Sequence, residues 1–90
     1  MTIDEIRQEI DRLDNELLKI FNRRAELALA IGHLKKELDL PVYDPDREKR
    51  IFNKMTALNP GPLDNQAIKR LFERVIDESR TLERIKSKGR

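Results

Sequence analysis

Ninety residues suffice for one domain, near the size at which a single hydrophobic core is only marginally adequate. With 40% charged and 4% aromatic residues the composition suits long helices better than a β protein, and a chain with no cysteine and one histidine has no disulfide, thiolate zinc site, cysteine nucleophile or histidine-rich metal centre. A net charge of +2, four aromatic side chains in all and no run approaching the length of a membrane span argue against nucleic acid or membrane as a partner, although residues 41 to 90 hold 12 basic against 8 acidic side chains and end in a basic tail, Arg84 to Arg90, expected to fray.

The N-terminus, MTIDEIRQEI, has no basic start followed by an apolar run, so no signal peptide is expected and the chain reads as cytoplasmic. Thr2 with Glu5 three residues on forms a capping-box pattern, and Asp4 and Glu5 suit the positive end of a helix dipole. From there Ile3, Ile6, Ile10, Leu13, Leu17, Ile20, Arg24, Leu27, Ile31, Leu34 and Leu38 step by three and four, the spacing of a heptad seam. The helix is expected over about residues 3–38, since Pro41 disfavours helix at Leu40.

Such a helix rises about 1.5 Å per residue to roughly 50 Å, whereas a compact chain of this size is about 30 Å across. It must therefore lie against something other than its own chain. A second copy is the simplest source of apolar surface, so the expected fold class is all-α, with three helices (long, short, medium) in an intertwined homodimer.

Asp44-Pro45 opens the second helix, expected over about 45–58, with Asp44 as cap and Pro45 at the first position; its apolar face is Ile51, Phe52, Met55 and Leu58. Asn59-Pro60-Gly61-Pro62 is a stop and linker. Asp64 caps a third helix, about 64–86, whose face is Ile68, Leu71, Phe72, Val75, Ile76, Ser79, Leu82 and then Glu83 or Lys86. No repeat divides the chain, and residues 1–90 read as a single domain.

The polar residues on these apolar lines carry the functional question. Arg24 lies on the seam, where an unpaired guanidinium would cost several kcal/mol, so it requires an anionic partner. Beside the seam runs a stripe containing Arg7, Leu18, Phe21, Ala25, Ala28, Gly32 and Lys35. Arg24 and Lys35 stand about 16 Å apart along the axis, with Ala28 and Gly32 leaving room between them. Two arrangements satisfy this pattern: a pocket for an anion, or a crossing helix seated on the small residues with the cations paired to carboxylates of the bundle. Glu83 on an apolar face likewise reads either as a carboxyl with its pKa raised by desolvation or as a surface pair with Lys86 or Lys88. Asp44, Arg47 and Glu48 cluster at the start of the second helix, where capping accounts for Asp44 and a solvated pair for the other two; His33 is expected to be exposed.

Arg7 in IRQEIDRLD, Arg24 in NRRAELA, Lys35 in IGHLKKE, the run PVYDPDREK and the segment IDESRTLE together resemble the all-helical class of chorismate mutases, over about Ile3 to Ile85. The resemblance implies a homodimer of three-helix chains that binds chorismate and needs no metal or cofactor. It implies that Arg7 enters the partner's site and that Arg24 and Arg47 grip the substrate carboxylates. Lys35 would contact a carboxylate and the ether oxygen, and Glu83 the same oxygen. Asp44 and Glu48 would meet the ring hydroxyl, Ser79 would bind a carboxylate, and Ile31, Ile51 and Ile76 would form apolar walls. The implied catalytic residues are Lys35, Glu83 and Arg24. Some members carry glutamine where this chain has Glu83, and Arg80 stands at a position often apolar in relatives. Two other readings share these features: an isochorismate-pyruvate lyase, and a non-catalytic helical dimerisation or regulatory module.

Overall fold

Each helix begins on the side chain the sequence places there. In the computed structural model, which describes residues 1–88, the chain folds as α1 (Ile3–Glu37), α2 (Pro45–Leu58) and α3 (Asn65–Lys88), with no strand among those residues. Thr2 Oγ1 accepts from the Glu5 backbone N–H at 3.1 Å, and Glu5 Oε1 accepts from the Thr2 N–H at 3.0 Å. These bonds to Thr2 hold the Glu5 carboxyl below the usual glutamate range. Asp44 Oδ1 caps α2 by accepting from the Arg47 N–H at 3.0 Å, with Pro45 in the first turn. Asp64 Oδ1 caps α3 through the Ala67 N–H at 2.8 Å, so the helix itself starts one residue later than expected.

The C-terminus of α1 closes by a device with weaker sequence cues. Leu38 is the cap and Asp39 takes the left-handed conformation, φ 57°. The Leu40 N–H reaches back to the Lys35 carbonyl at 2.8 Å and the Asp39 N–H to Lys36 at 3.3 Å, which satisfies the last carbonyls of the helix. Between α2 and α3 Asn59 organises the turn: its Oδ1 accepts from Gly61 N–H at 3.1 Å, and its Nδ2 donates to the Leu63 carbonyl at 2.7 Å and to Asn65 Oδ1 at 2.9 Å. Gly61 has φ 76°, a conformation that favours glycine. α3 continues through the first half of the basic tail, whose helix persists to Lys88 instead of fraying from Arg84; the expectation for residues 89 and 90 lies outside the described residues.

α3 is the centre of the packing. It contacts both α1 and α2, while α1 and α2 do not meet. Ile76, on α3, is the only buried apolar residue among those described, at 7% exposure. The chain is elongated, 54 × 29 × 14 Å, with a radius of gyration of 16.3 Å. That exceeds the value of about 12 Å for a compact chain of this length.

α1 divides lengthwise and across. Every residue from Ile3 to Arg23 is exposed, including the seam residues Ile6, Ile10, Leu13, Leu17 and Ile20. In the C-terminal half, Arg24, Ala25, Ala28, Leu29, Gly32 and Lys35 are half-buried, whereas the seam residues Leu27, Ile31 and Leu34 remain exposed. The chain's own α3 thus covers the small-residue stripe and leaves the seam open. Leu58 and Leu71, assigned to inward faces, are exposed: Leu58 ends α2 where α3 is only beginning, and α3 has no neighbour on the flank that carries Leu71.

Ile76→Ala removes the best-buried side chain and is expected to lower unfolding free energy by about 2–5 kcal/mol. Urea denaturation followed by circular dichroism at 222 nm measures it, and a change within experimental error would show that this contact is not central to the fold.

Candidate active site

Where α1 and α3 run side by side, the absence of a side chain at Gly32 brings the two helices close. A Cβ added there would lie 3.4 Å from the Glu83 carboxyl carbon and from its Oε2. One turn earlier on α3, Ser79 is buried; its hydroxyl donates to the Val75 carbonyl at 3.1 Å and accepts from Arg24 Nη1 at 3.4 Å. Arg24 and Ser79, then Gly32 and Glu83, therefore form successive steps of one α1–α3 line.

Arg24 decides between the two arrangements left open by its position. Among the described residues its partner is a hydroxyl, and no carboxylate lies within ion-pair distance; the paired arginines are Arg12, Arg23, Arg74 and Arg80. The carboxylate needed for a purely structural role is not supplied by the described residues of this chain. Lys35 is similar: its Nζ donates to the Val42 carbonyl at 3.3 Å and joins no ion pair among those residues. Its charge does reach Glu83. Burial against α1 raises the Glu83 carboxyl pKa, and Lys35 and then Arg80 offset part of that rise. Glu83 is thus set into the helix interface and forms no ion pair among the described side chains, Lys86 included; the pair expected with Lys88 lies outside them.

Around the mouth of this line stands Glu48, half-buried on α2, which pairs with Arg80 of α3 at 3.4 Å. Asp44 is close by in sequence and is occupied as the cap of α2. Arg47 is exposed, and its side chain has no hydrogen-bond partner among the described residues. Arg7 is exposed on the far half of α1, about 25 Å along the axis from Arg24, so one protomer does not bring it to the other cations. Of the expected walls, Ile76 is buried and Ile51 half-buried, while Ile31 remains open. His33 is exposed, as its place between the stripes suggests.

A cleft of about 790 Å³ lies beside this line instead of over it. It shares Gly32, Arg80 and Glu83 with the site but is otherwise walled by residues such as His33, Lys36 and Tyr43, and it reaches neither Arg24 nor Ser79. The half-buried cations with no carboxylate in ion-pair distance among the described residues, Arg24 and Lys35, lie along the Arg24–Glu83 line and not in this cleft. Arg80 is the residue that sequence reasoning left without a role. A cation following Ser79 on a helix face packed against α2 was the available signal.

The fold is an α-helical domain in which α1 and α3 gather Arg24, Lys35, a buried hydroxyl and a desolvated carboxyl along one interface, with no carboxylate in ion-pair distance of either cation among the described residues. The chain belongs to the chorismate mutase type II family, whose sequence model matches residues 6–84. It is 32% identical over 81 residues to the chorismate mutase of Methanocaldococcus jannaschii, covering 89% of this chain and 82% of that protein. It is 37% identical over 86 residues to the bifunctional chorismate mutase/prephenate dehydratase of Aquifex aeolicus, with 91% of this chain but only 24% of that protein covered. The chain spans about a quarter of the length of such bifunctional relatives. Among solved structures it superposes on chorismate mutase (form II) of Thermus thermophilus with a TM-score of 0.89 and 40% identity, covering 91% of this chain and 93% of that one. With chorismate mutase from Helicobacter pylori in complex with prephenate the TM-score is 0.87 at 31% identity, covering 96% of this chain and 93% of that one. No helix among the described residues is long and apolar enough to cross a membrane.

The raised Glu83 pKa has a stability consequence with a definite sign. The folded chain holds this proton to higher pH than the unfolded chain, so stability from this group is lost as pH rises through the raised pKa. Glu83→Gln is expected to be more stable than wild type above neutral pH, the gain vanishing as pH falls below the ordinary value of 4.5. Urea midpoints of both proteins across that range measure it; a difference independent of pH would assign the effect to packing.

Proposed function

We propose that this chain rearranges chorismate to prephenate, serving phenylalanine and tyrosine biosynthesis in the cytoplasm, as a single chorismate mutase domain over residues 1–90 that works as an intertwined homodimer. The observation that carries the reading is Arg24, a half-buried cation on the apolar line of α1 whose own protomer offers it a hydroxyl and no carboxylate. A substrate with two carboxylates supplies what the fold leaves out. The similar H. pylori chorismate mutase is in complex with prephenate, the product of this rearrangement, and that supports the reading.

The reaction matches the side chains available. In the rearrangement the ether C–O bond breaks while a C–C bond forms between the enolpyruvyl methylene and the ring, so no nucleophile, redox partner or net proton transfer is required. Acceleration comes from holding the enolpyruvyl arm over the ring and from stabilising the negative charge that grows on the ether oxygen. Arg24 and Arg47 grip the carboxylates, each with the planar fork that pairs bidentately with such a group. Ser79 adds a hydroxyl to one carboxylate, and Asp44 and Glu48 meet the ring hydroxyl. Lys35 and Glu83 face the ether oxygen. Glu83 serves there as a donor only while protonated, and burial moves its pKa in the direction that extends this form toward neutral pH.

The dimer follows from the open seam. Apolar residues exposed along α1 from Ile3 to Leu38 exceed what a stable monomer leaves to water, and a second α1 laid along them would also bring Arg7 to the partner's site. Isolated cysteine-free protein is therefore expected to sediment as a dimer.

Loss of chorismate absorbance, with prephenate as product, tests the activity. Turnover is expected to rise as pH falls below neutral, and Glu83→Gln to flatten the profile; pH-independent wild-type turnover would keep the enzyme and discard the role of Glu83. Arg24→Ala is expected to remain dimeric and lose about 100-fold or more in kcat/KM, whereas dissociation of the dimer with no independent effect on catalysis would make Arg24 structural. Release of salicylate and pyruvate from isochorismate, without turnover of chorismate, would identify a lyase.

The shared site has its own test. Arg7→Ala and Arg24→Ala dimers, each inactive, are unfolded together and refolded as a mixture. If Arg7 serves the partner's site, half the dimers are mixed and each has one complete site, so about a quarter of wild-type activity returns. No recovery would put Arg7 and Arg24 in the same protomer's site.

A further inference from the structure

Arg80 joins three parts of the chain through one guanidinium. Its Nη2 lies 2.8 Å from Asp77 Oδ1, one turn back on α3, and 3.4 Å from Glu48 Oε1 on α2. The guanidinium carbon also stands 5.4 Å from the centre of the Tyr43 ring, in the connection between α1 and α2. Every other ion pair among the described residues joins positions three or four apart on one helix; Arg80–Glu48 alone joins two helices. It is also less exposed than the rest, with the Arg80 side chain 38% and the Glu48 side chain 19% accessible, where exposed pairs contribute little.

The location gives this pair a consequence beyond stability. Since α2 makes no direct helix contact with α1, the placement of Glu48 relative to the cations of α1 is set through α3 and the 38–44 connection. Glutamate has three rotatable side-chain bonds, and one end of its carboxylate must be fixed if the other is to meet a ligand in one geometry. Asp77 orients the guanidinium, the guanidinium holds one Glu48 oxygen, and the second Glu48 oxygen is left for a ligand. Tyr43 stacks near the same cation and ties the α1–α2 connection to it.

We propose that Arg80 is a positioning residue: with Asp77 as its anchor, it fixes the Glu48 carboxylate so that one oxygen is presented to the substrate hydroxyl. The proposal rests on the chorismate mutase reading given above. Arg80 acts through Glu48 and touches no reacting atom, so its removal weakens substrate binding more than the chemical step.

A double-mutant cycle with chorismate as substrate tests this. Arg80→Leu is expected to lower kcat/KM about tenfold, mostly through KM. Glu48→Gln has its own loss, and the double variant is expected to be no worse than Glu48→Gln alone, because Arg80 has nothing further to position. Arg80→Lys is expected to recover part of the activity, since an ammonium can donate to Asp77 and Glu48 from one nitrogen as Nη2 does, but reaches less far than the guanidinium and lacks its planar face toward Tyr43. It also keeps the experiment informative if the leucine variant fails to fold. Arg74→Gln, which removes an outward pair with Glu78, is the control and is expected to leave both constants unchanged. Losses that multiply in the double variant, or an Arg80→Leu protein with lowered melting temperature but wild-type kcat and KM, would overturn the proposal while leaving the enzyme reading intact. A wild-type protein that does not turn over chorismate would overturn both.

Discussion

A helix of 35 residues sets the terms for everything else in this protein. It carries apolar side chains along its full length, and the remaining 14-residue and 24-residue helices cannot cover them. The chain resolves the shortage by dividing the helix between two uses. One face of its C-terminal half, lined by Ala25, Ala28 and Gly32, accepts α3; the heptad seam along the whole helix is left for a surface that this protomer does not possess. Ile76, the lone buried apolar residue among those described, shows how little core they make for themselves. In the proposed dimer folding and association would be a single problem, and a site built on α1 would inherit that coupling.

Arg24 stands at the border of the two faces, which explains why its position matters more than its type. A guanidinium farther round the helix would be solvated, and one farther along the small-residue stripe would have to be buried against α3. At the border it reaches Ser79 with one nitrogen, and the rest of its fork has no hydrogen-bond partner among the described residues. The small stripe is equally specific. Gly32 lets the Glu83 carboxyl approach α1 to within van der Waals contact of where a methyl would stand. The desolvation that raises the Glu83 pKa comes from that approach, and the charges of Lys35 and Arg80 moderate it. Backbone economy at one position and proton affinity at another are one feature.

Much of this was legible from residue order, because the controlling features are local. Thr2 with Glu5, Asp44 with Pro45 and Asp64 are capping arrangements that depend on neighbours within a few residues, and each appears where the pattern put it. The seam, the three helices and the exposed His33 follow from periodicity. What was not legible is what depends on which faces meet. Leu58 and Leu71 carry the period of an inward face yet stay exposed, Leu58 because it ends α2 beyond most of α3 and Leu71 because neither α1 nor α2 covers that position of α3. Asp39 ends α1 in a left-handed conformation that glycine more often takes, so Pro41 signalled the stop but not its geometry. Of the candidate site, the structure brings Arg24, Ser79, Lys35 and Glu83 to one interface. Arg7 lies beyond any contact a single protomer can make, and only the resemblance linked it to them.

Arg80 marks the limit most clearly. Its spacing from Ser79 and Glu83 is no guide to its role, because the partner that gives it meaning, Glu48, is 32 residues away on a helix that never touches α1. Because α3 is the helix that packs against both α1 and α2, the one ion pair across the α2–α3 contact among the described residues becomes the way a carboxylate on α2 is held in register with cations on α1. A hydrophobic contact could join the helices as firmly, but it would not orient a carboxylate. The charge on Arg80, neutralised from two sides and stacked near Tyr43, is suited to orientation because its fork is rigid and its own anchor, Asp77, lies on the same helix. In a domain with almost no core, polar contacts of this kind determine geometry that packing alone leaves loose.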